Sequence, residues 1–229
     1  GLDRLIEIAT PTQTRQFTYD SWNRCLSQSY LNNSYIFTNR THHYIYDHQN
    51  ELGTLNNLRI LTNTSTAEIG ATIAIEQNIL YFPAHDLFGN IIALQDSYGS
   101  IQESYRYSTF GEEQIFDYNL NPSEKSPLHN PWRYQSKRKT AHLINFGHRF
   151  YDPARGRWLS PDPKGYREGP NLYQFLLNAP LTHSDLYGME VLSQSMIMGW
   201  DPQYRTSDID NFQKWLKPTS LIDSILPLL

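Results

Sequence analysis

The stretch YFPAHDLFGNIIALQDSYGSIQESYRYSTFGEE, residues 81–113, contains two short turns, DLFGN and DSYGS, each led by an aspartate. Aspartate can hydrogen-bond to the backbone two residues further on, and glycine accepts the left-handed backbone that tight turns require. The segments that flank these turns are rich in Ile, Tyr and other residues that suit half-buried strands. The stretch therefore predicts consecutive β-hairpins.

The same plan recurs upstream, where FTYDSWNRCLSQ (17–28) and YIYDHQNELG (44–53) each place an aromatic residue and an aspartate before a turn. Residues 60–80 predict an extra hairpin, with a bend at Gly70. Such repeats at a loose spacing of about 25 to 40 residues are typical of stacked hairpins that share one core. We therefore expect residues 1–120 to form a segment of stacked hairpins.

The composition suits this fold and argues against some functions. The chain has 229 residues, of which 39% are hydrophobic and 16 are tyrosine, so a sheet with half-buried aromatic side chains is expected. The formal net charge of −4 gives no reason to expect a nucleic acid as partner. No apolar run reaches the roughly 18 residues of a membrane span, so none is predicted.

The sequence predicts no cofactor and no metal. A glycine-rich phosphate loop is missing, and the histidines do not have zinc-site spacing. The single cysteine, Cys25, excludes an intrachain disulfide and is expected to be structural. Lys137, Arg138 and Lys139 form the one tight basic run, for which we expect a solvated turn.

The second half of the chain changes in character. Residues 117–131 contain three prolines and predict a loop between the hairpin segment and a second part at 130–189. Within this part, NLYQFLLN (171–178) predicts one or two turns of helix capped by Asn171. Residues 190–229 are interpreted as a short, partly helical tail, with a helix at 206–218. Because Gly1 stands where Met would begin a protein and no signal peptide follows, we expect a C-terminal piece of a longer chain.

The stretch NFGHRFYDPARGRWLSPDPKG, residues 145–165, holds two Asp-Pro pairs and three arginines, which an ordinary loop does not require. Together with NPWRYQSKRK (130–139) and GPNLYQFLLNAPLTHSDLYG (169–188), it resembles the core domain that ends the repeat region of Rhs/YD-repeat proteins. The upstream repeats at 17–28 and 44–53 resemble YD repeats of the same family.

This resemblance implies an all-β fold in which the YD repeats form part of a β-shell that the core domain closes. In the family, the core cuts the chain just after itself, and the released tail, which is often a toxin, stays inside the shell. The implied partners are the chain's own tail (190–229), the upstream shell and a delivery or toxin-complex subunit. The implied location is that of a secreted or cell-surface effector.

The family's cut depends on one arginine and two aspartates, in the pattern R-[FY]-Y-D-P, then S-x-D-P, then D-x-x-G and an apolar residue. The segments RFYDP, SPDP and DLYGM of this chain resemble that pattern. It implies Arg149, Asp162 and Asp185 as catalytic residues and a cut between Met189 and Glu190.

Three further residues are expected to support this site, namely Gly188, Tyr151 and Pro163. Gly188 allows close approach of the backbone at the cut. Asp152, from the first Asp-Pro pair, is expected to be a turn residue. The ending departs from the family's commoner Asp-Pro-x-Gly-Leu at Leu186 and Met189, which bears on the rate of cleavage.

The residue types suit peptide hydrolysis. Two carboxylates held close together do not both ionise easily, so one can act as a general base on water while the other donates a proton. The arginine can either orient one carboxylate or stabilise the charge that forms on the scissile carbonyl. Both roles of Arg149 stay open. The expected enzyme is a single-turnover intramolecular aspartyl autopeptidase that has no other substrate.

Two alternatives assign the chain other functions. One is a non-catalytic shell module for binding or cell-surface interaction, in which the core no longer cuts. The other is a toxin activity of residues 190–229, but forty residues are few for an enzymatic core. We therefore interpret the tail as a remnant or a small binding peptide.

Overall fold

Antiparallel β-hairpins make up nearly all of the regular structure in the computed structural model, which describes residues 4–32, 40–62 and 68–193. The predicted all-β fold is confirmed, and no α-helix occurs within these ranges. The chain divides into two units, Gly1–Val191 and Leu192–Leu229. The helix predicted at 206–218 lies outside the described residues.

The first sheet has four strands that pair in chain order. Its central hairpin turns at Asp20, as predicted, because the Asp20 Oδ1 accepts the Trp22 and Arg24 backbone N–H groups, each at 2.9 Å. The strands are β1 (Glu7–Ala9), β2 (Gln13–Tyr19), β3 (Cys25–Asn32) and β4 (Arg40–His43).

The second sheet has nine strands, and each one pairs with its neighbour in sequence. The hairpins predicted at 60–80 and 81–113 are confirmed, although residues 63–67 are outside the described part. The strands are β5 (Ile45–Asp47), β6 (Asn50–Thr54), β7 (Asn57–Leu61), β8 (Thr72–Glu76), β9 (Leu80–His85), β10 (Ile91–Gln95), β11 (Ile101–Tyr107), β12 (Glu113–Asp117) and β13 (Pro122–Ser123).

The third sheet is small and carries the Asp-Pro stretch. Its four strands also pair in chain order, and two short strands follow them along the chain. The four strands of the third sheet are β14 (Arg138–Thr140), β15 (Leu143–Asn145), β16 (Phe150–Asp152) and β17 (Arg157–Trp158). The two that follow, β18 (His183–Asp185) and β19 (Val191–Ser193), pair with each other. Single 3-10 turns lie at Tyr134–Ser136, Tyr166–Glu168 and Leu176–Asn178.

The helix predicted at 171–178 is wrong. Leu176–Asn178 forms only one 3-10 turn, and its residues have φ values of +47°, +55° and +59°, which is left-handed backbone. Phe175 and Leu176 are both fully buried in the aromatic core, so tertiary packing overrides the local helical preference.

An aromatic cluster forms the core beneath the third sheet. Tyr151 stacks on Phe175 with ring centroids 3.7 Å apart, and Trp158 meets Phe146 edge to face at 5.2 Å. Such pairs add stabilisation beyond the area that they bury. Phe146, the first residue after β15, belongs to this cluster, so the segment that follows β15 packs against the core.

The prediction of a solvated turn for the basic triplet, residues 137–139, is also wrong. Lys137 is fully buried, and the other two side chains are mostly covered. Each member pairs with a different glutamate from the hairpin segment, and a paired charge can be buried where an unpaired one cannot. The pairs are Lys137 with Glu68 at 3.0 Å, Arg138 with Glu51 at 2.6 Å and Lys139 with Glu113 at 2.7 Å.

Candidate active site

The guanidinium of Arg149 is the centre of a buried polar site just before β16. Its Nη1 lies 2.9 Å from an Asp162 oxygen, its Nη2 lies 3.2 Å from an Asp185 oxygen, and its Nε donates to the Gly188 carbonyl at 2.7 Å. The side chain is 1% exposed and lies 4.1 Å above the Trp158 ring. The structure therefore brings together the arginine and both aspartates that the sequence pattern implies.

Asp185 ends β18 and organises the turn that precedes the expected cut. Its Oδ1 accepts backbone N–H groups from Tyr187 at 3.2 Å, Gly188 at 2.7 Å and Met189 at 2.9 Å. Gly188 has a φ of +74°, and a Cβ there would lie 3.0 Å from the Arg149 backbone nitrogen. Gly188 is therefore required both for its backbone conformation and for the close approach to Arg149.

Asp162 lies in a similar turn, in which its Oδ1 accepts the Lys164 N–H at 2.7 Å and its carbonyl accepts the Gly165 N–H at 3.0 Å. Pro163 occupies the second position of this turn, where a fixed φ is suitable. The other Asp162 oxygen faces Arg149. In both turns, one carboxylate oxygen stabilises the backbone and the other contacts the arginine.

The remaining residues from the sequence analysis have packing or turn positions. Tyr151 is fully buried, and its hydroxyl donates to the Phe110 carbonyl at 2.7 Å, while burial raises its pKa. Asp152 accepts the Ala154 and Arg155 N–H groups with its Oδ1, as a turn residue does.

Two side chains that the sequence analysis missed contact the chain after the expected cut. Lys164 Nζ lies 2.6 Å from a Glu190 oxygen, and Glu168 Oε1 accepts the Val191 N–H at 2.6 Å. Burial raises the pKa of Glu168, with the charge of Asp162 as a smaller contribution in the same direction. No pattern in the sequence marks these two residues, which follow the SPDP segment.

A third missed residue is Lys137, whose ammonium donates to the Leu186 carbonyl and pairs with Glu68. Burial lowers the pKa of Lys137, and the Glu68 carboxylate acts in the opposite direction. The turn at Asp185 is thus held by a basic residue on each side, Arg149 and Lys137. The only signal in the sequence was the basic triplet, which a solvated turn also explains.

No three or more His, Cys, Asp or Glu side chains in residues 4–32, 40–62 and 68–193 form a group that would hold a metal. Along the same ranges, no helix has the length and apolar character that crossing a bilayer requires.

Comparison with known proteins supports the resemblance. No family model matches the sequence. The chain is 25% identical to toxin subunit YenC1 of Yersinia entomophaga over 156 residues, which are 62% of this chain and 16% of YenC1. It is 46% identical to toxin subunit YenC2 of the same organism over 61 residues, which are 26% of this chain and 6% of YenC2. The chain thus spans a small part of the length of these relatives.

Among solved structures, the crystal structure of TcdB2-TccC3-Cdc42 matches with a TM-score of 0.58 and 24% identity, over 77% of this chain and 9% of that chain. This likeness concerns the fold, and it agrees with the antiparallel sheets described above. The predicted resemblance to Rhs/YD-repeat proteins is confirmed.

Proposed function

We propose that this chain is the C-terminal end of an Rhs/YD-repeat toxin-type protein that cuts itself once, between Met189 and Glu190. The observation that carries the proposal is the buried Arg149, which contacts Asp162, Asp185 and the backbone next to that bond. The similarity to the toxin subunits YenC1 and YenC2 supports the broader assignment.

The bond to be cut is already held in place. Asp185 accepts the Met189 N–H, and Arg149 binds the Gly188 carbonyl, so the backbone on the amino side of the bond is fixed. An intramolecular substrate in the right geometry lowers the barrier by about 7 to 11 kcal/mol in well-oriented cases. This prior positioning suits a catalyst that acts once on its own chain.

The hydrogen bonds favour different roles for the two aspartates. A carboxylate has about four lone-pair sites. Asp185 accepts three backbone N–H groups with Oδ1, which is fully occupied, and one Arg149 N–H with Oδ2, which keeps one lone pair. Asp162 accepts one backbone N–H and faces Arg149, so it has sites left for a water molecule. We therefore assign the general base to Asp162 and the positioning of the substrate to Asp185.

In the proposed reaction, Asp162 takes a proton from water, and the water oxygen attacks the Met189 carbonyl carbon. The bond to the Glu190 nitrogen then breaks, and this nitrogen takes up the proton. The carboxylic acid formed at Met189 then passes the second proton of the water to the new amine, so the products are a carboxylate at Met189 and an ammonium group at Glu190. The contacts of Arg149 with both carboxylates favour an orienting role for it over stabilisation of the oxyanion.

The partners follow from the same assignment. We propose that residues 190–229 form the released tail, that upstream YD repeats complete the shell around it, and that the assembly belongs to a secreted toxin complex. The similar solved structure, TcdB2-TccC3-Cdc42, combines TccC3 with TcdB2, which supports a second toxin-complex subunit as partner.

The test is the intact mass of the expressed chain beside that of Asp162→Asn and Asp185→Asn. The wild type should give fragments 1–189 and 190–229, while both variants should remain whole, because Asp162→Asn removes the base and Asp185→Asn removes the ion pair with Arg149. Asp96→Asn is the matched control, since Asp96 forms the same kind of turn at an exposed position and should not affect the cut.

The opposite results are equally informative. If the folded wild type shows a single uncut mass, the chain is a non-catalytic shell module. If both active-site variants are still cut at the same bond, the assignment of the aspartates is wrong.

A further inference from the structure

The chain on the carboxyl side of the Met189–Glu190 bond is held by the segment that carries Asp162. Glu168 Oε1 accepts the Val191 N–H at 2.6 Å, and Lys164 Nζ lies 2.6 Å from the Glu190 carboxylate. Residues 162–168 thus supply the proposed base and two contacts with the leaving side of the bond.

The two contacts differ in strength. The Lys164–Glu190 pair is solvent-exposed, with 26% and 61% of the side chains accessible, and exposed pairs contribute little. Glu168 is partly buried, and its bond to the Val191 backbone is short, as charge-assisted hydrogen bonds are. A backbone contact also fixes the path of the chain, whereas a contact with the Glu190 side chain does not.

The backbone is therefore held on both sides of the bond. Asp185 accepts the N–H of Met189, and Glu168 accepts the N–H of Val191, so the hydrogen bonds lie one residue before and two residues after the cut. The two hydrogen bonds restrict the rotation of the peptide group between them, which carries the carbonyl to be attacked. Loss of either hydrogen bond would let the reacting atoms move out of alignment.

We propose that Glu168 is a positioning residue for self-cleavage, which acts by accepting the Val191 N–H and so holds the leaving side of the Met189–Glu190 bond. This inference rests on the proposed function. It requires only an acceptor oxygen at position 168, and the side chain itself exchanges no proton in the reaction.

The rate of cleavage tests this role. The chain is made by cell-free synthesis, translation is stopped, and the uncut fraction is followed by intact mass across a range of pH. Glu168→Ala should cut about tenfold more slowly, because a charge-assisted hydrogen bond is lost. Glu168→Gln keeps an acceptor oxygen and should restore most of the rate. Glu124→Ala, at an exposed acidic residue, should cut at the wild-type rate.

Each contrary result has one meaning. If Glu168→Ala is cut at the wild-type rate, the role of Glu168 is wrong and the proposed self-cleavage stands. If Glu168→Gln is as slow as Glu168→Ala, an acceptor oxygen is not sufficient at position 168 and the positioning role is wrong. If the folded wild type is never cut, the proposed function fails and this inference fails with it.

Discussion

Two basic side chains with buried nitrogen atoms differ in their partners. Arg149 lies in the interior with two carboxylates and a carbonyl around it, and a guanidinium has the planar set of donors that such a site requires. His85, on β9, has a buried Nε2 with no hydrogen-bond partner in the described part of the chain. Burial lowers the pKa of His85 from 6.5 to about 4, while the nearby Asp86 raises it only in part. The folded protein therefore keeps this histidine neutral.

This difference predicts an acid-dependent loss of stability. Between pH 6.5 and about 4, the unfolded chain binds a proton at His85 that the folded chain does not, so the free energy of unfolding falls as the pH is lowered through this range. The contribution is present in full above pH 6.5 and amounts to no more than about 3 kcal/mol. His85→Gln should remove it, as measured by urea unfolding at several pH values.

His43→Gln serves as the control, because it removes an exposed histidine on β4. Equal slopes for the wild type and His85→Gln between pH 4 and 6.5 would contradict the prediction.

At the scale of single residues, the three site residues were identified because the segments RFYDP, SPDP and DLYGM resemble the family pattern. The distances between these residues along the chain did not identify them. Arg149, Asp162 and Asp185 are separated by 13 and 23 positions, which by itself says nothing about proximity. Lys164 and Glu168 were missed because their roles depend on how residues 190 and 191 approach them. That approach is set by tertiary structure.

The recurring element of this protein is a five-residue turn led by aspartate. In each case the aspartate Oδ1 accepts the N–H groups two and four residues further on, and the fourth residue has a positive φ. The turns of this type begin at Asp20, Asp86, Asp96, Asp117 and Asp185. The tetrapeptides DLFG (86–89) and DLYG (185–188) are nearly identical. The proposed active site therefore uses a close relative of the turn that closes the hairpins. In the hairpin turns at Asp20, Asp86, Asp96 and Asp117 the fourth residue donates its N–H to the aspartate carbonyl, whereas Gly188 donates to the Asp185 carboxylate, and the second oxygen contacts Arg149.

Two glycines in such turns allow a direct comparison. Gly99 has a φ of +80° and open space where a Cβ would be, whereas a Cβ at Gly188, with a φ of +74°, would meet the Arg149 backbone and Phe146. Gly99→Ala should cost only the left-handed strain of about 1 to 2 kcal/mol. Gly188→Ala should cost more in urea unfolding and should also slow cleavage, because it displaces Arg149.

Equal losses of stability in Gly99→Ala and Gly188→Ala, with cleavage intact in both, would show that the close packing at Gly188 is unimportant.

Elements that depend on neighbouring residues were predictable, and those that depend on packing were not. The turns at Asp86 and Asp96 follow from the side chain of one residue and the flexibility of another, both visible in four or five letters. The left-handed turn at Leu176–Asn178 is stabilised by the burial of Phe175 and Leu176 in a core that the local sequence does not contain.

Across the whole of the first unit, the basic triplet joins the third sheet to the hairpin segment. Its three glutamate partners lie 26 to 87 residues away along the chain. The Glu51–Arg138 pair has two close contacts, of 2.8 and 2.6 Å, and the Trp132 indole N–H adds a third at 3.3 Å. Burial alone would raise the pKa of Glu51, but Arg138 lowers it overall.

Breaking this pair should destabilise the protein strongly. Arg138→Met leaves the Glu51 charge buried without its main partner, and such changes cost about 3 to 5 kcal/mol. Chemical denaturation would measure the loss. Arg155→Met is the matched control, because Arg155 is 70% exposed and its pair with Asp152 should contribute less than about 1 kcal/mol.

A loss below about 1 kcal/mol for Arg138→Met would mean that the pair is no stronger than a surface contact. The sequence did not reveal these pairs, since a run of three charges is usually exposed and nothing local indicates that glutamates from distant hairpins will cover it.

The order of the strands in the nine-stranded sheet has a consequence for the timing of folding. Each strand pairs with the one made just before it, so most contacts are local and the sheet can form while the chain is still being synthesised. Arg149 comes later, and residues 185–191, which contain the bond proposed to be cut, are made after every strand of the three sheets. Synthesis from the amino end thus delays the proposed cleavage until the rest of the fold can be in place, and a chain that misfolds early would remain whole.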